Sequence, residues 1–309
     1  ILTSPLLRAK QTAEIVATAV GLNKKEIGFY TGTKKKLHGK VDIAMLPTLS
    51  RMENTEDFPN DYGQIIVDEC HHVPAVSFED VLKRFPARFV VGLTATPYRK
   101  DGLEKILHFQ CGPVRHEFKE SAEKLFTKRV TVRDTAFRLP EELGAKPPIH
   151  LVWHHLIQDA ARNALIVDDV AESLSQSRFP LIISDRKEHL DTLESGIRER
   201  QPESLRFRLD GGSSKKRRTE ILSELRTCLD NGQKPCLFAT ASLIGEGFDL
   251  PELDTLVLAM PLSFKGRLVQ YAGRLHRACS GKNEVRIYDY LDSSSGLTIK
   301  MYRNREKTY

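Results

Sequence analysis

A chain of 309 residues that is 40% hydrophobic and 28% charged has a soluble, globular composition, with apolar residues enough for two cores of ordinary size. It holds no run of about 18 apolar residues and no secretory signal, which argues against a membrane span or an exported protein. The net charge of +6 is compatible with a polyanionic partner, and 5 cysteines without a C-x-x-C pair fit a reducing, cytoplasmic setting.

In chain order, residues 2–22, LTSPLLRAKQTAEIVATAVGL, read as a strand followed by an amphipathic helix. The apolar runs VDIAML (41–46), GQIIVDE (63–69) and RFVVGLTAT (88–96) predict buried strands of a parallel sheet. Between the last two, VSFEDVLKRF (76–85) spaces its apolar residues as a helix does. A Pro-rich, weakly periodic stretch around 133–150, containing LPEELGAKPPIH, marks a boundary. Domains are therefore expected at 1–140 and 141–309.

Beyond that boundary FPLIISD (179–185), LRFRLDG (205–211), PCLFATA (235–241), TLVLAMP (255–261) and VRIYDYL (285–291) predict a second set of strands. Helical segments separate them, among them KEHLDTLESGIRER (187–200) and KRRTEILSELRTCLDNG (216–232). This alternation predicts an α/β class with two domains, each a parallel sheet flanked by helices.

Asp68 and Glu69 close an apolar strand, so both carboxylates emerge where open α/β sheets bind ligands. An Asp there suits Mg²⁺, a hard ion that takes oxygen ligands and keeps several waters. The adjacent Glu can polarise a water for attack on a γ-phosphate. Cys70, His71 and His72 have no second Cys/His cluster to complete a zinc site, and His71 is read as a polar link toward the second domain. Thr94 and Thr96 follow the next strand, where their hydroxyls can bond the acidic pair.

In the second domain, Gly245 and Gly247 permit close backbone approach to a ligand, and Asp249 can accept from a ribose hydroxyl. In LVQYAGRLHRACSGK (268–282), Gln270, Arg274 and Arg277 recur at helical spacing and can project from one side. Paired guanidiniums suit a phosphate chain. Basic runs at 34–36, 99–100 and 215–218 suit backbone phosphates, although such runs are more often solvated surface.

In this order, DECH (68–71), TAT (94–96), GEGFD (245–249) and QYAGRLHR (270–277) resemble motifs II, III, V and VI of superfamily 2 helicases and translocases. The stretch 67–103 is similar to the XPB-like branch. The resemblance implies two RecA-like domains, ATP and Mg²⁺ as cofactors, and a nucleic acid, expected to be DNA, as partner. It implies metal binding and water activation at Asp68 and Glu69, and arginine fingers at Arg274 and Arg277. Accessory domains or subunits outside this chain are expected as well.

The pattern departs from that family at its start. No G-x-x-x-x-G-K-[ST] occurs, and the first residue is Ile, so the first RecA-like domain is expected to be truncated at its N-terminus. Loss of a strand there would expose its neighbour. Residues 2–22 also resemble the S-P-L-x-R-A-x-Q-T-A segment of histidine phosphatases, in which the residue matching Arg8 helps hold phosphate, yet that family's R-H-G is absent. The rival readings are a non-catalytic nucleic-acid-binding remnant and a phosphatase-related fusion.

Overall fold

The computed structural model describes residues 2–3, 6–52, 58, 62–72, 76–85, 87–94, 104–117, 126–144, 146–240, 250–261, 275, 279 and 281–307. The chain divides into two compact units, Ile1–Glu120 and Ser121–Tyr309.

The first unit is built on strands β1 (Leu2–Thr3), β2 (Ile27–Tyr30), β3 (Lys35–Lys36), β4 (Val41–Met45), β5 (Gln64–Asp68) and β6 (Phe89–Leu93). They lie in the order β3-β2-β4-β1-β5-β6. Every pairing is parallel except that of the short β3 with β2. The segment 2–22 takes its strand-and-helix form as β1 and α1 (Leu6–Ala19), with Leu2 registered against both Ala44 and Val67. The Arg8 side chain lies outside the described residues.

Ala13 and Ala17 of α1 pack with Ile27 and Ile43 on the sheet. A separate cluster joins Tyr30, Ala44, Ile65 and Val67 to α2 (Leu46–Leu49), α3 (Val76–Lys83) and α4 (Glu104–Cys111). Burial from two sides explains why β4 and β5 are apolar runs rather than alternating ones.

Strand β6 stands at the sheet edge, paired among the described residues with β5 alone. On one face Val90 packs into the core. On the other, Phe89, Val91 and Leu93 are 55%, 37% and 43% exposed. An apolar strand that is unpaired on one edge among the described residues and uncovered on one face is a surface open to further pairing.

The second unit carries β7 (Thr127–Asp134), β8 (Pro180–Ile183), β9 (Arg206–Leu209), β10 (Cys236–Ala239), β11 (Thr255–Leu258) and β12 (Glu284–Leu291). This sheet is wholly parallel, in the order β7-β12-β11-β8-β10-β9. Its helices are α5 (Ile149–Gln158), α6 (Ala160–Ser175), α7 (Lys187–Arg200), α8 (Lys215–Asp230) and α9 (Gly296–Glu306). Ile166, Val170, Leu190 and Leu193 of α6 and α7 cover one sheet face, and Ile221 and Leu225 of α8 the other.

The units part at 120/121, ahead of the 140/141 boundary expected from the sequence. The reason is β7, which pairs along its whole length with β12, from Thr127 against Glu284 to Asp134 against Leu291. Buried ion pairs fasten the end of the chain to this sheet. Arg305 donates through Nε and Nη2 to Asp289 at 2.8–3.1 Å, and Arg162 donates from Nε to Asp292 at 2.8 Å.

Candidate active site

Ile65, Ile66 and Val67 hold β5 in the core, and that anchorage delivers Asp68 to the strand's carboxyl end, 7% exposed. The backbone turns sharply at the next residue. Glu69 has φ 51°, a left-handed conformation uncommon without glycine, and its N–H donates to Asp68 Oδ1 at 3.1 Å. A short 3₁₀ turn, Cys70–His72, follows.

Within that turn His71 faces back toward the strand ends. Its Nδ1 lies 2.9 Å from Thr94 Oγ1 and 3.3 Å from Glu69 Oε2. Thr94 reaches this position because β6 pairs in parallel with β5, placing Leu93 beside Asp68. The hydroxyl was expected to bond the acidic pair directly. Instead the hydroxyl pairs with the imidazole, whose same nitrogen lies near the Glu69 carboxylate.

Cys70 points the other way, into the core beside Gly92 and Cys111. The nearness of the Cys111 thiol, helped by burial, pushes the Cys70 thiol well up, and the same nearness brings Cys111 down. The sequence signal for this contact was a lone glycine in an apolar strand, which marks close approach.

Two adjacent carboxylates at a strand end offer oxygen ligands to one side of an ion. Such a set fits Mg²⁺, which fills its remaining positions with water and phosphate oxygens, better than an ion needing an all-protein cage. Among the described residues no group of three or more His, Cys, Asp or Glu could hold a metal ion.

Thus Asp68, Glu69, His71 and Thr94 come together. Thr96, Gly245, Gly247, Asp249, Gln270, Arg274 and Arg277 lie outside the described residues.

The basic runs differ in what holds them. Lys34 and Lys35 sit over the Phe29 and Tyr30 rings at 5.8 and 5.6 Å, and Arg217 is within 3.5 Å of Glu220 and Glu224. A cavity of about 230 Å³ in the second unit gathers Arg129, Arg133 and Arg286. Asp169 and Glu284 pair with two of these guanidiniums, and Glu172 stands in the wall, so its charge is largely balanced.

Residues 6–99 match the family model described as type III restriction enzyme, res subunit, and residues 163–279 match the helicase conserved C-terminal domain. The probable helicase D10 of Escherichia phage T5 is 25% identical over 320 aligned positions, spanning 100% of this chain and 65% of that protein. The DNA 3'-5' helicase XPB of Kineococcus radiotolerans is 32% identical over 123 residues, which is 38% of this chain and 22% of the relative. The solved structure of S. cerevisiae Dbp5 bound to RNA and ADP BeF3 shares the RecA-like fold, with a TM-score of 0.63 at 14% identity over 99% of this chain and 74% of Dbp5. The chain spans 44–65% of the length of five curated relatives that each match more than three quarters of it.

Proposed function

We propose that this chain, which belongs to the helicase family, is the larger part of an XPB-like superfamily 2 motor that couples ATP hydrolysis to movement along DNA in the cytoplasm. One observation carries the reading: a buried strand ends in Asp68 and Glu69, and His71 Nδ1 stands 2.9 Å from Thr94 Oγ1 on the neighbouring strand and 3.3 Å from Glu69 Oε2. Four residues of the DECH and TAT motifs are thereby brought together.

In this reading Asp68 holds Mg²⁺ directly or through water, with Glu69 beside it. The bound ion supplies charge neutralisation at the phosphates. Glu69 orients the attacking water and accepts its proton, and the turn at φ 51° fixes where that carboxylate points. His71 senses the protonation and position of Glu69 and passes them to Thr94; Thr96 is assigned the same coupling role. Gly247 and Asp249 are assigned to the nucleotide's backbone and ribose, Gln270 to the nucleotide, and Arg274 and Arg277 to the charge that develops on the transferred phosphoryl group. Arginines so placed raise rates by about 10³–10⁵ in related systems.

The phosphate-binding loop is assigned to a further strand and helix that complete the first sheet. The open edge of β6 and its uncovered Phe89, Val91 and Leu93 support that assignment. The 309 residues contain no G-x-x-x-x-G-K-[ST], which also favours a second reading, a nucleic-acid-binding chain without turnover.

The test compares the 309-residue chain with a form extended upstream to include the loop. The extended form is expected to hydrolyse ATP, faster with DNA, and the shorter chain to do so poorly. In the extended form Glu69→Gln is expected to abolish turnover while ATP binding survives. Unchanged hydrolysis in that variant removes Glu69 from the mechanism, and stimulated turnover by the 309-residue chain removes the need for the loop. Binding to DNA is expected to weaken linearly in log affinity against log salt.

A further inference from the structure

Beneath the acidic strand end lies a pair of side chains for which phosphoryl transfer has no use. Cys70 begins the turn that follows Glu69, and Cys111 ends α4. A methyl group built on Gly92 would sit 2.8 Å from Cys70 Sγ, 3.0 Å from Cys111 Cβ and 3.1 Å from Cys111 Sγ. Both thiols therefore press on one spot of β6, with their sulfurs no more than about 6 Å apart.

We propose that Cys70 and Cys111 are a modification site: a peroxide converts them to an intramolecular disulfide that fastens the turn after Asp68–Glu69 to α4. Accessibility sets the order of events. Cys70 is 3% exposed, whereas Cys111 is half-buried and is the sulfur a small oxidant meets first. The Cys111 thiolate attacks one peroxide oxygen; an S–O bond forms, the O–O bond breaks, and hydroxide leaves, becoming water with the thiol's proton. The Cys70 sulfur then attacks the Cys111 sulfur. The S–S bond forms, the S–O bond breaks, and a second water departs with the Cys70 proton. Two thiols lose two electrons, and one peroxide becomes two waters.

Little rearrangement is needed. A disulfide requires the sulfurs at about 2.05 Å and the Cα atoms within roughly 7 Å, and two thiols that crowd the same glycine approach the first limit by side-chain rotation. In a reducing compartment such a bond forms transiently under oxidant and is then reversed, as redox-sensing pairs behave. Once formed it closes residues 70–111 into a loop and removes the freedom of the turn that carries His71. Any effect on turnover rests on the function proposed above, but formation of the bond does not.

The experiment treats the 309-residue chain with hydrogen peroxide, blocks remaining thiols by alkylation, and maps the peptides by mass. A 70–111 cross-linked peptide is expected, reversed by dithiothreitol and absent from Cys111→Ser. Cys228, Cys236 and Cys279, all in the second unit, serve as internal comparators. Amide exchange across residues 69–72 is expected to slow about tenfold or more in the oxidised form.

Cys70 still open to alkylation while Cys111 advances to sulfinic acid overturns the proposal, as do cross-links that form mainly to the comparators. A 70–111 bond that leaves exchange in the turn unchanged overturns the fastening. In the extended form, turnover lost on oxidation and kept in Cys111→Ser ties the bond to the motor. Turnover unaffected by a bond that forms and slows exchange counts against the functional reading and leaves the site standing.

Discussion

Gly92→Ala tests how tightly the site is supported from below. The new methyl would meet two sulfurs and a Cβ at 2.8–3.1 Å, well inside the roughly 3.5–4.0 Å at which such atoms attract. One of those contacts is Cys111 Cβ, fixed to the backbone of α4, so relief requires moving the helix rather than swinging a side-chain tip. Overpacking of this kind costs about 1–3 kcal/mol. Replacing a strand glycine by alanine returns about 0.5–1 kcal/mol, because the unfolded chain loses freedom. The net destabilisation is therefore at most about 2.5 kcal/mol and about 1 kcal/mol at the middle of both ranges, confined to the first unit.

Urea titration followed by hydrogen exchange at residues 64–68 and 89–93 measures it. The single tryptophan, Trp153, lies in α5 and reports the second unit separately. With slopes of about 1–3 kcal/mol per molar, a loss of about 1 kcal/mol lowers the first unit's midpoint by roughly 0.3–1 M while the Trp153 transition stays in place. Adding Cys70→Ala removes the nearest sulfur and should recover part of the loss, a coupling that a double-mutant cycle resolves. A Gly92→Ala chain at least as stable as its parent refutes the reasoning.

Arg305→Ala should cost about 3–5 kcal/mol and release α9 from the sheet, since it leaves the buried Asp289 carboxylate without its guanidinium; exchange in residues 296–306 reads this, and unchanged protection there contradicts it. Burial pushes the His189 imidazole down to about 3, so the unfolded chain binds a proton that the fold refuses. Stability from this group is present above the unfolded value near 6.5 and is lost as pH falls toward 3. His189→Gln should therefore flatten the Trp153-detected loss of roughly 1–2 kcal/mol between pH 6.5 and 5, and an equal slope in both proteins removes His189 as its source. Thr94→Val breaks the bond to His71 and should lower DNA stimulation of ATP turnover in the extended form more than basal turnover; equal loss of both argues against a coupling role.

What could be read from the sequence follows from burial. Strands β4, β5, β8, β10 and β11 are largely buried on both faces, so they appear as apolar runs that need no partner to be recognised. Strand β7, TKRVTVRD, is an edge strand with charged residues along it, and nothing local marks it as part of the second sheet. That is why the boundary was expected too late. The acidic pair was legible because an apolar lead-in fixes where a strand ends. The Thr94–His71 bond was not, because it depends on the register of two strands 20 residues apart, and side-chain period alone does not give register.

That same register ties stability to the chemistry. Asp68 is registered with Leu93, Ile66 with Val91 and Gln64 with Phe89, and residues paired in parallel share a face. The uncovered apolar surface of β6 is thus continuous with the face from which the Asp68 carboxylate emerges. Burying Phe89, Val91 and Leu93 would contribute about 1.5–3 kcal/mol for each side chain fully covered, enough to matter against the small net stability of a domain. An added strand and helix that covered them would approach Asp68 in the same step, so a phosphate loop between that strand and helix would reach the metal ligand as a consequence of completing the sheet. Extension upstream should then stabilise the first unit even without nucleotide. An extension that carries the loop yet leaves exchange in β6 unprotected would separate folding from function at this site.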